Sequence, residues 1–198
     1  IKNIMTNELE QYIESYFGIV KSDELKEISS LFALKTIKKG EFFLKTGKQS
    51  KELCFIQSGF LRIFLTTEDK EVTQWISQKG YFVVDLSSFV FETPARWTIQ
   101  ALVDTKIYVI NRDDYNRIGT LAPTWNQLEK LFIVRCFAML EERMFSHLSM
   151  TAEERYNLFF DQNKELFNQV PLQYIASMLG MTPETFSRIR KKTAFLNP

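Results

Sequence analysis

The feature that most constrains the fold is the stretch 125–148, which contains neither glycine nor proline. Two lines of apolar residues run along it at helical spacing. One line comprises Ile133, Phe137, Leu140, Met144 and Leu148, and the other comprises Leu128, Phe132, Cys136 and Met139. A surface helix of a monomer needs only one such line. We therefore expect a dimer helix, with Leu128, Phe132, Ile133, Phe137, Leu140 and Met144 as its apolar positions. A central helix buried inside a monomer is the alternative.

Residues 35–110 show the shorter period of β-strands. The strand-like runs are 42–44, 53–56, 60–65, 72–76, 97–103 and 107–110. Gly40, Gly47, Gly59 and Gly80 fall between these runs, where tight turns need the conformations that glycine adopts most easily. The spacing of the turns indicates an antiparallel sandwich or barrel. Short helices are predicted before it, in the first thirty residues.

A capping pattern marks the end of the long helix. In the sequence Thr-Ala-Glu-Glu at 151–154, the Thr151 hydroxyl and the Glu154 carboxylate can satisfy each other's exposed backbone N–H groups. The pattern predicts that one helix ends near Ser149 and that another begins at once. We expect this junction to act as a hinge for the C-terminal part.

Residues 172–191 have the pattern of a helix-turn-helix. Gly180 permits a sharp turn, Thr182 can cap the second helix, and Pro183 suits its first position because that N–H would be unpaired. The positions predicted to face the core are Ile175, Ala176, Leu179, Met181, Phe186 and Ile189.

The exposed face of the second helix has the chemistry to read DNA. Glutamate can accept a hydrogen bond from cytosine, and arginine can donate two to guanine. Glu184, Ser187 and Arg188 occupy that face. We expect phosphate contacts from a second set, which comprises Thr182, Thr185, Arg190, Lys191 and Lys192. An ordinary helical hairpin with a solvated basic end is the alternative.

The sequence Thr-Pro-Glu-Thr-Phe-Ser-Arg at 182–188 resembles the recognition helix of the CRP/FNR transcription regulators. The glycine pattern agrees, and the resemblance covers nearly the whole chain. It implies an α+β fold, with an antiparallel, jelly-roll-like β-roll of the cyclic-nucleotide-binding type, a long dimerisation helix and a C-terminal winged helix-turn-helix. It assigns the N-terminal helices and the sensor roll to 1–113, the dimerisation helix to 114–150 and the DNA-binding domain to 151–198.

The resemblance also implies a function. It implies a homodimer that contacts double-stranded DNA at a pseudo-palindromic operator, reads bases with Glu184, Ser187 and Arg188, and works with RNA polymerase. The usual wing after the recognition helix is very short in this sequence.

The effector pocket that the resemblance implies departs from the family's pattern. Members that bind cyclic AMP hold the ribose with a Gly-Glu-Leu step and the phosphate with an Arg-Ser pair. Asp85 is shorter than that glutamate, Val84 fills the space that glycine leaves, and Arg96 comes one position late. The candidate pocket comprises Val84, Asp85, Leu86, Ser87, Ala95 and Arg96. We expect cyclic AMP to be disfavoured, which leaves another small organic effector, or none.

The scarcity of histidine and cysteine excludes several classes of site. One histidine, His147, and two distant cysteines cannot supply a four-cysteine iron–sulfur cluster or a histidine-rich catalytic zinc. We therefore assign no metal and no catalytic residue. An enzyme on a cupin-like barrel would need more histidines. A small-molecule sensor that signals through protein contacts, without DNA, is the main alternative, and the basic residues 188–192 argue against it.

The cysteine content and the apolar runs also predict the cellular compartment. Cys54 and Cys136 match no disulfide framework, so we expect a reducing cytoplasm. The apolar runs are too short for a membrane-spanning helix, and we expect no membrane partner. No secretory leader is recognisable, and the start at Ile1 indicates a trimmed terminus. The net charge of +1 excludes a chain that is basic throughout, but not a local basic patch.

Overall fold

A computed structural model describes residues 2–18 and 21–196 of the chain. The helices are α1 (Lys2–Phe17), α2 (Ser22–Ser30), α3 (Leu86–Phe91), α4 (Arg112–Leu121), α5 (Trp125–Ser149), α6 (Ala152–Gln162), α7 (Leu166–Gln169), α8 (Leu172–Met178) and α9 (Pro183–Leu196). The strands are β1 (Ala33–Ile37), β2 (Phe42–Leu44), β3 (Glu52–Ser58), β4 (Leu61–Thr66), β5 (Glu71–Ser77), β6 (Phe82–Val83), β7 (Thr98–Ala101) and β8 (Thr105–Asn111). Among these residues, no helix is both long and apolar enough to cross a membrane.

The strands form two antiparallel sheets of four strands each. One has the order β1-β8-β3-β6 and the other the order β2-β7-β4-β5. The predicted antiparallel roll within an α+β fold is confirmed. The short β6 and the helix α3 that follows it were not among the predicted elements.

Strands β3 and β8 are buried on both faces. In β3, Leu53 and Phe55 pack against the helices, whereas Cys54 and Ile56 point between the two sheets. Tyr108 and Ile110 of β8 also belong to the helix-facing cluster. Because successive residues of a strand point to opposite faces, this double burial explains why β3 is a continuous apolar run rather than an alternating one.

The glycines between the strands lie in turns, as predicted. Gly40, Gly47, Gly59 and Gly80 have φ angles of +85°, +81°, +97° and +92°. At Gly59 a side chain would also collide with its surroundings, since a Cβ atom would lie 2.5 Å from the Thr105 hydroxyl oxygen. The turn between β3 and β4 therefore requires glycine for both conformation and space.

Helix α5 begins at Trp125, two residues after Pro123, and ends at Ser149 as predicted. Trp125 is buried beside Phe17, with 4.6 Å between the ring centroids, which anchors the start of α5 on the roll and α1. The capping box is formed: the Thr151 hydroxyl accepts from the N–H of Glu154, and the Glu154 carboxylate accepts from the N–H of Thr151. Only Met150 and Thr151 therefore separate the end of α5 from the start of α6.

The proposed division at residue 113 falls inside α4. Ile118 and Tyr115 of that helix pack with the core shared by the roll and the N-terminal helices, so α4 packs with the roll rather than continuing into α5. The division at residue 150 coincides with the junction before the capping box. After the turn at Gly180, the chain continues as α9, and the described residues contain no strand beyond it that would form a wing.

Candidate nucleic-acid interface and effector pocket

The helix-turn-helix consists of α8 and α9. Gly180 has a φ angle of +70°, and the N–H of Met181 donates to the carbonyl oxygen of Ala176, which closes the turn. The Thr182 hydroxyl accepts from the N–H of Thr185 and so caps α9, as predicted. The predicted core positions Ile175, Ala176, Leu179, Met181, Phe186 and Ile189 are all buried. Burial of this face fixes which face of α9 meets solvent.

Glu184, Ser187 and Arg188 are exposed, and Lys191 follows them on the same face at helical spacing. The backbone N–H of Glu184 and the Thr182 hydroxyl lower the pKa of the Glu184 carboxyl group by hydrogen bonding to its charged form. Glu184 therefore offers an ionised acceptor on the same exposed face of α9 as Arg188.

The other predicted phosphate contacts differ in their availability. Arg190 is exposed, whereas Thr185 is half-buried and takes part in the cap with Thr182. Lys192 forms an ion pair with Glu153 of α6, with 2.8 Å between Nζ and Oε1. A phosphate that recruits Lys192 must therefore compete with this carboxylate.

Helix α5 has two different apolar faces. Leu128 and Phe132 are half-buried and pack against the core of the roll and α1. Ile133, Phe137, Leu140 and Met144 lie on the opposite side and are between 45% and 62% exposed. Leu148, Val134 and Phe145 extend this exposed face. Of the predicted dimer positions, only the second group remains available to another molecule.

The candidate effector pocket is organised around a buried carboxylate. Asp85 is 4% exposed and caps α3, because its Oδ1 accepts from the N–H of Ser88 at 3.1 Å. Its Oδ2 accepts from the N–H groups of Arg96 and Trp97 at 2.9 and 3.1 Å. Three backbone N–H groups from two segments thus converge on one side chain. Ionised acceptors form the stronger hydrogen bonds of this kind, so Asp85 ties the segment before α3 to the segment before β7.

The remaining pocket residues are not gathered into one cavity wall. Ala95 is buried and Val84 packs against the helix-facing core, whereas Leu86 and Ser87 are exposed. The Arg96 guanidinium points out over the Trp97 ring, 5.0 Å from its centroid. An anion at this position would have to displace the Asp85 carboxylate from its donors.

Comparison with known proteins identifies the roll. The Cyclic nucleotide-binding domain family matches residues 34–119, from β1 into α4. The match spans less than half of the 198 residues. The Anaerobic regulatory protein of Bacillus subtilis (strain 168) is 29% identical over 96 residues, which are 48% of this chain and 40% of that protein. The chain therefore matches less than half the length of this relative.

Two solved structures extend the likeness beyond the roll. FixK2 from Bradyrhizobium japonicum has a TM-score of 0.69 and 16% identity, and the match covers 83% of this chain and 85% of that one. The Thermus thermophilus Catabolite Activator Protein has a TM-score of 0.56 and 22% identity over 90% and 86% of the two chains. The resemblance to the CRP/FNR regulators is confirmed. At these identities the structures establish the fold.

Sequence reasoning missed the contacts that join the roll to the helix-turn-helix. Arg62 of β4 is 1% exposed and lies between the rings of Phe64 and Tyr174, 4.2 and 3.7 Å from their centroids. The N–H of Thr73 donates to the Ser177 hydroxyl of α8 at 2.9 Å. The sequence does contain one sign of these contacts. Arg62 is a charged residue within the apolar run 60–65, and an arginine that is buried in a strand needs partners.

Proposed function

We propose that this CRP/FNR-like protein is a homodimeric transcription regulator that binds double-stranded DNA of specific sequence. The observation that carries the proposal is the exposed face of α9, where Glu184, Ser187, Arg188 and Lys191 project from a helix whose other face is buried. Glutamate and arginine discriminate base pairs, and lysine neutralises phosphate. On this proposal the N-terminal helices, the roll and α4 sense, α5 dimerises and residues 151–198 read DNA.

The homodimer is supported by the exposed apolar face of α5. A continuous face of this kind on a long helix is typical of a protein interface. Pairing α5 with its copy about a twofold axis would bury Ile133, Phe137, Leu140 and Met144 on both subunits. Two recognition helices related by that axis fit a pseudo-palindromic operator, with half-sites about one helical turn apart.

The roll does not use cyclic AMP at the Asp85 position on this proposal. The supporting observation is that Asp85 already accepts from the N–H groups of Ser88, Arg96 and Trp97. A cyclic phosphate would have to replace an intramolecular carboxylate there. A small organic effector, where there is one, therefore acts at a different site. As a regulator of transcription the protein would act in the cytoplasm, with RNA polymerase as a partner.

Selection of bound duplexes from a random DNA library tests the proposal. We expect enrichment of an inverted repeat, and mobility-shift titrations should show tighter binding to the repeat than to a single half-site. The affinity should also fall as salt rises, because phosphate contacts release counterions. Absence of binding to any duplex at low salt would overturn the proposal and favour the sensor that signals through protein contacts. Enrichment of a single unrepeated site would overturn the dimeric mode of binding.

A further inference from the structure

A cleft of about 460 Å³ lies where three parts of the protein meet. The roll contributes Trp75 of β5, and the long helix α5 contributes Met139 and Arg143. The helix-turn-helix region contributes Phe159 of α6 and Leu179 after α8. The volume lies in the range of small-molecule sites, and most of the wall is apolar. The cleft lies on the side of α5 opposite the exposed face that we assign to the dimer.

Two arginines line this cleft without a carboxylate partner. Arg143 donates from Nη2 to the carbonyl oxygen of Met178 at 3.2 Å. Arg155 donates from Nε to the carbonyl oxygen of Leu179 at 3.1 Å and from Nη1 to that of Met150 at 2.7 Å. In the described part of the chain, the ion pairs involve neither arginine. Two positive charges therefore share the cleft with the carboxylate of Glu142, and both arginines hydrogen-bond only to neutral oxygens.

The surroundings of Arg143 add to the attraction for an anion. Burial lowers the pKa of Arg143, because the charged guanidinium loses contact with water. A negative group that enters the cleft would meet a charge that is only partly solvated, and such pairs are stronger than pairs in open water. The same guanidinium lies over the half-buried Trp75 ring, 4.8 Å from its centroid, so a positive charge and an apolar ring adjoin at the wall of the cleft.

We propose that this cleft binds a small organic anion with a flat apolar body. The body lies against Trp75, Met139 and Phe159, and the acidic group faces Arg143 and Arg155. The apolar wall supplies affinity in proportion to the area that it buries, and the two guanidinium groups select for a carboxylate, sulfonate or phosphate.

Occupancy of the cleft would affect how DNA is read, and this consequence rests on the proposed function. The walls come from the roll, the dimer helix and the helix-turn-helix, so a ligand that contacts all three favours the arrangement that brings them together. A ligand shifts a conformational equilibrium only by its difference in affinity for the two states. DNA affinity should therefore change with occupancy, although the cleft does not include the exposed face of α9.

Two fluorescent probes of similar shape test the site on the full chain without DNA. 8-Anilinonaphthalene-1-sulfonate carries an acidic group, and N-phenyl-1-naphthylamine does not. We expect Arg143→Gln to weaken binding of the sulfonate by about tenfold or more, as for the loss of one charge-assisted hydrogen bond, and to change binding of the amine little. The matched control is Arg117→Gln, since Arg117 is an exposed arginine on α4 that pairs with Asp114. It should leave both affinities unchanged.

A second variant tests whether the probes bind in the cleft itself. Ala138 is exposed on α5 and lines the cleft, so Ala138→Trp should fill the cleft and abolish binding of both probes while both arginines remain. Circular dichroism and thermal melting identify variants that do not fold. Equal sulfonate affinity in Arg143→Gln and Arg117→Gln, or unchanged binding in a folded Ala138→Trp, would overturn the site. Probe binding that leaves operator affinity unchanged would overturn only its regulatory role, and absence of DNA binding altogether would overturn only the proposed function.

Discussion

The guanidinium group of Arg62 lies 3.7 Å from the centroid of the Tyr174 ring, and this stack joins the roll to the first helix of the helix-turn-helix. Arg62 also donates from Nε to the Thr73 hydroxyl at 3.0 Å and pairs with Glu71 at 2.6 Å. One side chain thus connects two strands of the roll with α8. Since α8 is held in this way, the position of α9 relative to the roll is defined within a single subunit.

The stack makes a prediction about stability. Tyr174→Leu should lower the free energy of unfolding by about 1–2 kcal/mol, because it removes a cation–π contact with a desolvated guanidinium. Tyr174→Phe keeps the ring and should stay within about 0.5 kcal/mol of the parent. Urea denaturation measures both. Equal losses in the two variants would show that the hydroxyl group, not the ring face, makes the important contact.

The assigned roles on α9 predict two different kinds of DNA-binding defect. Arg188→Ala should cost about 1–3 kcal/mol on the selected operator and relax the preference at one base pair. Lys191→Ala should weaken binding to every duplex alike and make the salt dependence shallower by about one phosphate contact. Mobility-shift titrations on the operator and on its single-base variants distinguish the two. If Arg188→Ala also weakened all duplexes equally, the base-reading role would be wrong.

The exposed face of α5 predicts a dimer that one charge can disrupt. Phe137→Glu should convert the protein to a monomer, because two carboxylates would be buried without partners when the helices pair. Sedimentation velocity gives the mass in solution. Phe42→Glu is the matched control, since Phe42 is an exposed phenylalanine on the roll, and it should leave the mass unchanged. A Phe137→Glu protein that sediments like the parent would contradict this interface.

The hydrogen bonds of the buried Asp85 carboxylate predict a large loss of stability when this side chain is replaced. Asp85→Ala leaves three backbone N–H groups without their acceptor, and an unsatisfied buried donor costs about 1–3 kcal/mol. We expect a loss of at least about 2 kcal/mol in the free energy of unfolding. Asp69→Ala, at an exposed carboxylate on the turn between β4 and β5, should have little effect. Similar denaturation curves for the two variants would rule out the structural role of Asp85.

The capping box at the junction predicts a pH dependence. Hydrogen bonds from the backbone N–H and then the hydroxyl of Thr151 lower the pKa of Glu154. A lowered folded-state pKa means that the contribution to stability is complete above the ordinary carboxyl range and is lost as pH falls through the folded value. Glu154→Gln should therefore melt below the parent at neutral pH, and the gap should narrow as pH falls through the ordinary carboxyl range and close below the lowered folded-state pKa. Glu68→Gln on the exposed turn after β4 is the control. A gap independent of pH would contradict the charged cap.

Local patterns predicted the local structure well. The capping box at Thr151, the turn at Gly180 and the buried positions Phe186 and Ile189 each follow from interactions within a few residues. Helix α5 begins at Trp125, the first residue of the uninterrupted stretch, and the buried side chain of Trp125 marks its beginning. Helix α4 was joined to the long helix, although Ile118 packs with the roll.

Contacts between distant segments could not be read from the chain. Ser177 and Thr73 are separated by more than a hundred residues, and neither residue type signals a partner. The departure at Asp85 was visible in the sequence as a short side chain in place of glutamate. Its hydrogen bonds to the N–H groups of Arg96 and Trp97 depend on the tertiary structure, because they join segments on either side of α3. The cleft lined by Arg143 and Trp75 also depends on the tertiary structure, because its walls come from distant segments of the chain.

The carboxylate that binds the N–H groups of Ser88, Arg96 and Trp97 belongs to the polypeptide itself, and not to a separate ligand. A group attached to the chain acts at a fixed effective concentration, which dilution, transport or metabolism cannot alter. Every molecule that folds brings its own anion to the start of α3. On the function proposed above, the state of this corner of the roll would follow the folding of the chain rather than the abundance of a metabolite.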